Sequence, residues 1–292
     1  NTTIDLRDNV VVRLRPRPNL EVNRHFICDT GRMNYRWMNR GDRIEAPLVR
    51  DGAGHVAVDW EVALSRLAGV VKDARGPAVL LASAAASTES LGLMKRLLSG
   101  RSLTAAVRIP QGEEAPLSGI PNLALRKERA PNGDGARLLG YSTDWGGALK
   151  AASTAGLVVL LDVVLTEAEA TAVSGAAAVV VLGSLTGQEL PGAQLVLPVT
   201  TVAEENGTFV NRDRRVQRYL QAKAPPGMAR PAWWVAGEAA ARAGSTEARP
   251  GSAEEAFASL EHLAPALSGL SYADLGLTGV VVGAGAPPEV GR

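Results

Sequence analysis

Cys28 is the only cysteine in this chain of 292 residues, and His25 lies three positions before it. A thiol and an imidazole at this spacing are typical of paired metal ligands, but the common tetrahedral site needs four ligands. A lone cysteine is more often a small buried hydrophobe. Taken alone, the pair therefore leaves both a metal site and an ordinary buried thiol open.

Cys28 is also a candidate nucleophile. Such a role needs a thiolate stabilised by a base or a positive charge, which His25, Arg24 and Arg32 could provide. No further residues complete a catalytic constellation, so we predict no catalytic and no cofactor-binding residue. The other two histidines, His55 and His262, are too few to predict a complete Cys/His metal site within the chain.

A polar cluster follows a predicted strand in the second half of the chain, at a position where α/β proteins place ligands. A solvated hairpin with internal ion pairs explains the same residues equally well, so both interpretations stay open. The cluster consists of Glu204, Glu205, Asn211, Arg212, Asp213, Arg214, Arg215 and Gln217.

The glycine-rich ending VVVGAGAPPEV resembles a phosphate-binding loop only superficially. A dinucleotide fingerprint continues from G-x-G-x-x-G into a helix, whereas Pro287 and Pro288 interrupt the pattern here. We therefore predict no nucleotide site at this end of the chain.

Composition excludes several classes of partner. The net charge of +1 gives no case for nucleic-acid binding. The longest apolar run, at 156–165, contains Asp162 and is shorter than the roughly 20 residues that cross a bilayer, so we predict no direct membrane insertion. The chain opens with asparagine and has no signal peptide, so we expect a piece of a longer soluble polypeptide.

The pattern from residue 56 onwards predicts an α/β fold. Capped amphipathic helices alternate with short apolar runs of the kind that form strands covered on both faces. This alternation implies a Rossmann-like, mostly parallel sheet with helices on both faces. We predict a helix at 60–74 and strands at 78–83, 103–109, 157–163, 177–182 and 194–198.

Three segments are predicted to lie outside this alternation. Residues 110–136 are rich in Pro, Gly and Asn and predict a long connection with little regular structure. Asn206-Gly207 predicts a hairpin turn. The end of the chain is alanine-rich and predicts two helices, the second capped by Ser252.

Four segments together resemble a known family. They are VNRHFICDTGRMNYRWMN, DRIEAPLVR, VDWEVAL and LPVTTVAEENGTFVNRDRRVQR, and they occur in the order found in the large iron-sulfur subunit of NADH-quinone oxidoreductase, the G subunit of bacterial complex I. That family contains a region of the molybdopterin oxidoreductase superfamily. The resemblance covers residues 1 to about 220.

The resemblance gives Cys28 an expected role. In the family, a C-x2-C-x3-C-x27-C pattern holds a [4Fe-4S] cluster, and its last cysteine precedes Asp and Gly-Arg as Cys28 does here. Twenty-seven residues precede Cys28, so the third cysteine would stand immediately before Asn1. The resemblance thus implies that Cys28 is the fourth ligand of a cluster whose other ligands lie upstream, and that this chain alone holds no complete cluster.

The resemblance further implies a division into three parts: a remnant of the [4Fe-4S] domain at 1–50, a molybdopterin-oxidoreductase-like α/β domain at 51–224 and an Ala-rich helical tail at 225–292. Enzymatic relatives of the formate dehydrogenase type carry a molybdenum ligand in mid-chain and a further C-terminal domain. With no cysteine after Cys28 and a short tail, this chain is expected to lack molybdopterin.

The expected function is therefore that of the C-terminal part of an electron-transfer subunit, chiefly structural and not itself catalytic. Its partners would be other subunits of the complex I peripheral arm, at the cytoplasmic side of the bacterial inner membrane. Two alternatives stay open: a fragment of a molybdopterin-dependent oxidoreductase of the formate dehydrogenase type, and a binding module without redox chemistry.

Overall fold

The chain alternates strands and helices around one large sheet. The computed structural model describes residues 1–52, 54–117 and 120–283, so the proline pair of the glycine-rich ending lies outside the described residues. In chain order the strands are β1 (Thr2–Arg7), β2 (Val10–Pro16), β3 (Leu48–Asp51), β4 (Gly54–Ala57), β5 (Ala78–Ser83), β6 (Leu103–Arg108), β7 (Ala115–Leu117), β8 (Ile120–Leu125), β9 (Leu157–Leu161), β10 (Val179–Gly183), β11 (Leu195–Pro198), β12 (Gly207–Val210), β13 (Arg215–Tyr219) and β14 (Val280–Val281). The helices are α1 (Asp29–Met33), α2 (Trp60–Asp73), α3 (Thr88–Leu97), α4 (Gly133–Leu138), α5 (Trp145–Ala152), α6 (Glu167–Val173), α7 (Ala232–Arg242), α8 (Ala253–Ala258) and α9 (Tyr272–Leu275), with 3-10 turns at Arg36–Asn39 and Pro265–Leu267.

The large sheet has seven strands in the order β4-β3-β11-β10-β9-β5-β6. The five strands from β11 to β6 are parallel to their neighbours. Strands β3 and β4 add an antiparallel edge next to β11. The predicted mostly parallel, Rossmann-like sheet is confirmed.

Alternate residues of the central strands point to opposite faces of the sheet, and both faces are buried. On β5, Leu80 belongs to one hydrophobic cluster, while Val79 and Leu81 belong to the other. Helices α2, α3 and α7 cover the first face. Helices α5 and α6 cover the second. A parallel sheet needs this double cover because both its faces are apolar.

The helices begin where the sequence signals place them. The Asp59 carboxylate accepts a hydrogen bond from the Val62 amide (2.9 Å) at the start of α2. Thr166 and Glu169 form a reciprocal capping box at the start of α6. Ser252 accepts a hydrogen bond from the Glu255 amide (3.1 Å) at the start of α8. Each cap satisfies backbone N–H groups that the helix itself leaves unpaired.

The end of the chain packs back onto earlier elements. In α7, the ring of Trp234 meets that of Trp60 edge-on at 5.4 Å between centroids. Strand β14 pairs with β13, which also pairs with β12. Next to β14, the Thr278 carbonyl accepts a hydrogen bond from the Asn19 amide group (3.1 Å). The described part of the tail therefore joins the core on one side and the N-terminal segment on the other.

Two predictions about connections are wrong. Residues 110–136 contain the antiparallel hairpin β7–β8 and the start of α4, because a hairpin can use prolines and glycines without an apolar core strand. The β12–β13 hairpin turns at residues 211–214, where Arg214 has a φ of 57° and the Asn211 side chain accepts hydrogen bonds from two backbone amides. Gly207 instead lies in β12, where a Cβ would come within 2.5 Å of the Tyr219 hydroxyl.

The strands β3 and β4 were not expected from the sequence, since neither is a continuous apolar run. The predicted division of the chain at residues 50 and 224 stays a prediction.

Candidate functional site

A large cleft opens at the carboxyl ends of the parallel strands. After β5 the chain adds β6 on one side of it and then returns to add β9 on its other side. The strand order therefore switches direction between β5 and β9. Open α/β sheets bind ligands at such switch points. The cleft has a volume of about 1160 Å³, and its other wall comes from β1 and from residues 17–38.

The floor of the cleft includes a carboxylate at the end of β9. Asp162 has a φ of 51°, an uncommon conformation for a residue with a side chain. Its Oδ1 accepts hydrogen bonds from the amide and hydroxyl of Ser184 (3.1 and 2.6 Å) and from the Gln188 amide group (3.1 Å). These bonds tie β9 to β10 and occupy one carboxylate oxygen.

A buried ion pair lies beside this floor. Arg43 Nη1 and Nη2 donate to the two carboxylate oxygens of Glu204 at 2.5 and 2.8 Å. Arg43 Nε also donates to the Ser184 carbonyl at 2.7 Å. The side chains are only 5% and 0% exposed. This two-pronged geometry, with additional hydrogen bonds, is what makes a buried pair tolerable.

Two further carboxyl groups are buried close to the cleft, and among the described residues neither forms a salt bridge with a positively charged side chain. Glu205 accepts hydrogen bonds from Thr200 (2.6 Å) and Tyr219 (3.0 Å), and burial raises its pKa to about 7. Glu89, in α3, accepts hydrogen bonds from Thr208 (2.9 Å) and Tyr272 (2.8 Å), and burial raises its pKa to about 7 as well. Neutral hydroxyl donors stabilise the charge less than a cation would.

The structure separates the predicted polar cluster into two groups. Glu204 and Glu205 are buried at the cleft, as just described. Arg212 and Asp213 are solvent-exposed at the tip of the hairpin and form an ion pair at 3.5 Å. The interpretation as a solvated hairpin therefore holds for the tip. The ligand-site interpretation concerns the two glutamates together with Asn211 and Gln217, which also line the cleft. Neither Arg43 nor Glu89 was singled out by sequence, because their partners are more than 100 residues away.

Cys28 is exposed and lies outside the cleft lining. It is the N-cap of α1, and its Sγ accepts a hydrogen bond from the Gly31 amide at 3.3 Å. No side-chain hydrogen bond joins it to His25 within the described ranges. In the same part of the chain, no group of three or more His, Cys, Asp or Glu side chains could hold a metal ion.

The sequence is similar to a known protein family and to subunits of a known complex. Residues 149–242 match the sequence model of the family described as Molybdopterin oxidoreductase. This part of the chain is therefore similar to a molybdopterin oxidoreductase region. The chain is 34% identical over 142 residues to NADH-quinone oxidoreductase subunit 3 of Thermus thermophilus, and 29% identical over 99 residues to the G subunit of NADH-quinone oxidoreductase from Rickettsia conorii. The predicted resemblance to the large iron-sulfur subunit of complex I is confirmed.

The chain is also similar to a protein with a different name. The chain is 50% identical over 50 residues to the putative formate dehydrogenase YrhE of Bacillus subtilis. These alignments cover 49%, 34% and 17% of this chain for the Thermus, Rickettsia and Bacillus proteins, and 18%, 15% and 5% of the relatives. The chain thus spans less than a fifth of the length of these relatives.

A solved structure supports the fold. Acetylene hydratase from Pelobacter acetylenicus aligns with a TM-score of 0.51 over 94% of this chain and 71% of its own, at 10% identity. At this identity the likeness concerns the fold alone.

The lining of the cleft does not fit molybdopterin, whose phosphate needs cations or N–H donors. The four arginines that line the cleft already donate to oxygens of the chain: Arg17 to the Asn1 side chain, Arg43 to Glu204, Arg129 to the Glu113 carbonyl and Arg218 to the Gly276 carbonyl. Glu205 and Asp162 place carboxyl groups on the same lining. Cys28, in contrast, fits one ligand position of a cluster that needs four thiolates.

We expect the buried acids to make the fold less stable as pH rises. The pKa values of Glu89 and Glu205 lie near 7 in the folded chain, against an ordinary 4.5. The folded state therefore binds more protons than the unfolded state between these values, and the free energy of unfolding falls from pH 5 to pH 8. The fall should reach at most about 3 kcal/mol per carboxyl. Urea unfolding across this range measures it.

Glu89→Gln removes one titrating group and should lessen this fall by about half, since two comparable carboxyls contribute. The matched control is Glu254→Gln, because Glu254 is exposed on α8. A wild-type stability that does not change between pH 5 and pH 8 would contradict the expectation.

The ion pair at the floor of the cleft gives a second prediction. Arg43→Met leaves Glu204 buried and unpaired, and should lower the free energy of unfolding by about 3–5 kcal/mol. Adding Glu204→Leu should recover most of this loss, because no buried charge then remains. The control is Arg137→Met, whose pair with Glu128 is more than one-third exposed and is worth at most about 1 kcal/mol. Equal losses at the two sites in denaturant unfolding would refute the prediction.

Proposed function

We propose that this chain is part of the large iron-sulfur subunit of NADH-quinone oxidoreductase. The observation that carries the proposal is the similarity to NADH-quinone oxidoreductase subunits of Thermus thermophilus and Rickettsia conorii, together with the molybdopterin oxidoreductase match. The portion present here acts chiefly as a structural element. It packs against neighbouring subunits of the peripheral arm and performs no catalysis of its own.

The geometry of the cleft supports a structural role. Arg43 is neutralised by Glu204, and Asp162 is tied to Ser184, so these charged side chains already have partners within the fold. A binding site keeps such groups available for its ligand. In this chain they join the ends of β9, β10 and β11 to the loops that follow, which stabilises the cleft itself.

Cys28 is proposed as the fourth ligand of a [4Fe-4S] cluster whose other three cysteines belong to polypeptide outside this chain. Such a cluster transfers single electrons when it is bound. The exposure of the thiol and the amide of Gly31 that donates to its Sγ both suit a thiolate ligand. Arg24 and Arg32 supply positive charge nearby in sequence, which offsets the charge of four thiolates.

The subunit would lie at the cytoplasmic side of the bacterial inner membrane, held there by its neighbours in the complex. In the described residues, no helix combines the length and apolar character that a membrane crossing requires. An affinity tag on the full-length gene product tests the assignment. After detergent extraction of membranes, NADH-quinone oxidoreductase activity should co-purify with the tag. Complete separation of the tagged protein from that activity would refute the assignment.

The cluster ligand gives a separate prediction. In the full-length protein, Cys28→Ala should remove about four iron atoms and one reduced-cluster signal in electron paramagnetic resonance, because a [4Fe-4S] cluster needs four thiolates. The control is Ser174→Ala, on the surface at the end of α6. The 292-residue chain alone, reconstituted with iron and sulfide, should hold no four-iron cluster. Unchanged iron content in Cys28→Ala would remove Cys28 as a ligand.

A second function is favoured by one observation, the 50% identity to the putative formate dehydrogenase of Bacillus subtilis. In that case the full-length protein would be a molybdopterin-dependent oxidoreductase. Elemental analysis distinguishes the two candidates: stoichiometric molybdenum or tungsten in the purified full-length protein supports the second candidate and contradicts the first.

A further inference from the structure

The side chain of Asn23 joins three stretches of backbone near the start of the chain. Its Nδ2 donates to the Phe26 carbonyl at 3.0 Å and to the Arg17 carbonyl at 3.2 Å, and it lies 3.4 Å from the Asn1 carbonyl. The Arg17 amide donates to the same Asn1 carbonyl at 3.0 Å. One side-chain amide therefore connects the residue before β1, the residue after β2 and the loop that leads to Cys28.

The turn that contains Asn23 does not need this side chain for its own shape. Backbone hydrogen bonds between Asn19 and Arg24 close the turn in both directions, at 2.9 and 2.7 Å. The Asn23 carbonyl accepts a further backbone bond from the Phe26 amide at 2.9 Å. The bonds of the side chain therefore serve the connection between the turn and the neighbouring segments.

Asn23 supplies the hydrogen-bonded link between the loop at 25–28 and the strands. Among the described residues, the other hydrogen bonds of this loop stay within residues 23–32. The start of β1 has anchors of its own, since the Asn1 Oδ1 accepts a hydrogen bond from Gln217 of β13 at 3.1 Å. Asn23 thus ties a loop with few bonds to a point that the rest of the fold holds in place.

Two buried polar atoms at this junction have no hydrogen-bond partner among the described residues. They are the Oδ1 of Asn23 and the Nδ2 of Asn1. An unpaired buried polar atom is costly, so such atoms normally have a partner. An open acceptor and an open donor are complementary to the N–H and C=O groups of a peptide backbone. Any polypeptide that precedes Asn1 must leave from this point.

We propose that Asn23 is a positioning residue for the [4Fe-4S] cluster: it holds the Cys28 loop beside the start of β1, where polypeptide that carries the other ligands joins this chain. The proposal rests on the proposed function for the cluster itself and for its upstream cysteines. Cys28 follows Phe26 by two residues, and the expected third cysteine stands immediately before Asn1. Because consecutive Cα atoms are only about 3.8 Å apart, both thiols lie within short reach of the Asn23 amide.

The spacing of these two segments matters because four thiolates must surround one cluster. Groups that orient metal ligands without touching the metal affect its binding, and their loss weakens a site about 10–100-fold. Asn23 has this relation to Cys28, since its side chain fixes the Phe26 carbonyl and leaves the thiol itself free.

Iron release from the purified full-length protein tests the proposal. The cluster concerned is identified by the roughly four iron atoms and the electron paramagnetic resonance signal that Cys28→Ala lacks. Asn23→Ala should release this iron to a chelator about tenfold faster than the wild type and should shift the signal, because the two ligand segments are no longer held together. Asn23→Asp keeps the shape of the side chain without its N–H donors and should behave in the same way.

The matched control is Asn39→Ala. Asn39 also uses its side-chain amide to bind the backbone, with hydrogen bonds to and from Val11 of β2 at 2.7 and 2.9 Å. Within the described part of the chain, these bonds reach neither the start of β1 nor the loop at 25–28. Asn39→Ala should lower the melting temperature by an amount similar to that of Asn23→Ala, and should release iron at the wild-type rate.

Iron release at the wild-type rate from both Asn23 variants overturns the proposal. Release from Asn39→Ala that is as fast as from Asn23→Ala also overturns it, because the effect would then follow from a general loosening of the segment. So does insoluble protein from both Asn23 variants with soluble Asn39→Ala, since Asn23 would then be needed for folding. None of these results contradicts the proposed cluster ligand, which fails separately if Cys28→Ala keeps its full iron content.

Discussion

A parallel sheet that is apolar on both faces must be covered on both faces, and most of this molecule follows from that constraint. The alternating side chains of β5, β9 and β10 divide the core into two clusters. Helices α5 and α6 complete one cluster, but α2 and α3 share the other with α7 from the end of the chain. The alanine-rich tail is thus part of the domain core. Its small side chains let α7 approach α2 and α3 closely, as Ala236 and Ala239 show by being fully buried.

Charge is buried in two different ways at the carboxyl edge of the sheet. Arg43 and Glu204 neutralise each other, so their burial joins distant loops at a fixed geometry. Glu89 and Glu205 have only neutral donors, and their protons are held near neutral pH. The second arrangement couples the stability of the fold to pH. Glu205 and Glu89 both bind residues of the β12–β13 hairpin, Tyr219 and Thr208.

The sequence predicts the central elements well because their signals are local. The strand β5 is found at the predicted residues 78–83, where an apolar run is bounded by Gly-Pro and by serine. Strand β3 and the edge strand β4 were missed because they contain the exposed Arg50 and the half-exposed His55, which interrupt any apolar run. The turn of the β12–β13 hairpin was misplaced because Asn211 forms its turn through side-chain hydrogen bonds that no sequence pattern singled out.

The candidate site was predictable only in part. Glu204 and Glu205 stood out as polar residues after a strand, but their burial depends on Arg43, Thr200 and Tyr219, which tertiary folding brings to them. Glu89 looks like an ordinary acidic residue in the first turn of a helix, and only the packing of Tyr272 and Thr208 over it makes it a buried acid. Residues that act through distant partners carry no signal in the local sequence.

The contact between Asn19 and Thr278 has a consequence for how the molecule comes apart. Because β14 lies next to the segment that follows β2, detachment of the last described strand removes a hydrogen-bond acceptor from the N-terminal segment. Opening at one end thereby lowers the free energy that is needed to open the other. The two ends of the described chain should behave as one cooperative unit in amide exchange and limited proteolysis, although 259 positions separate the two residues in sequence.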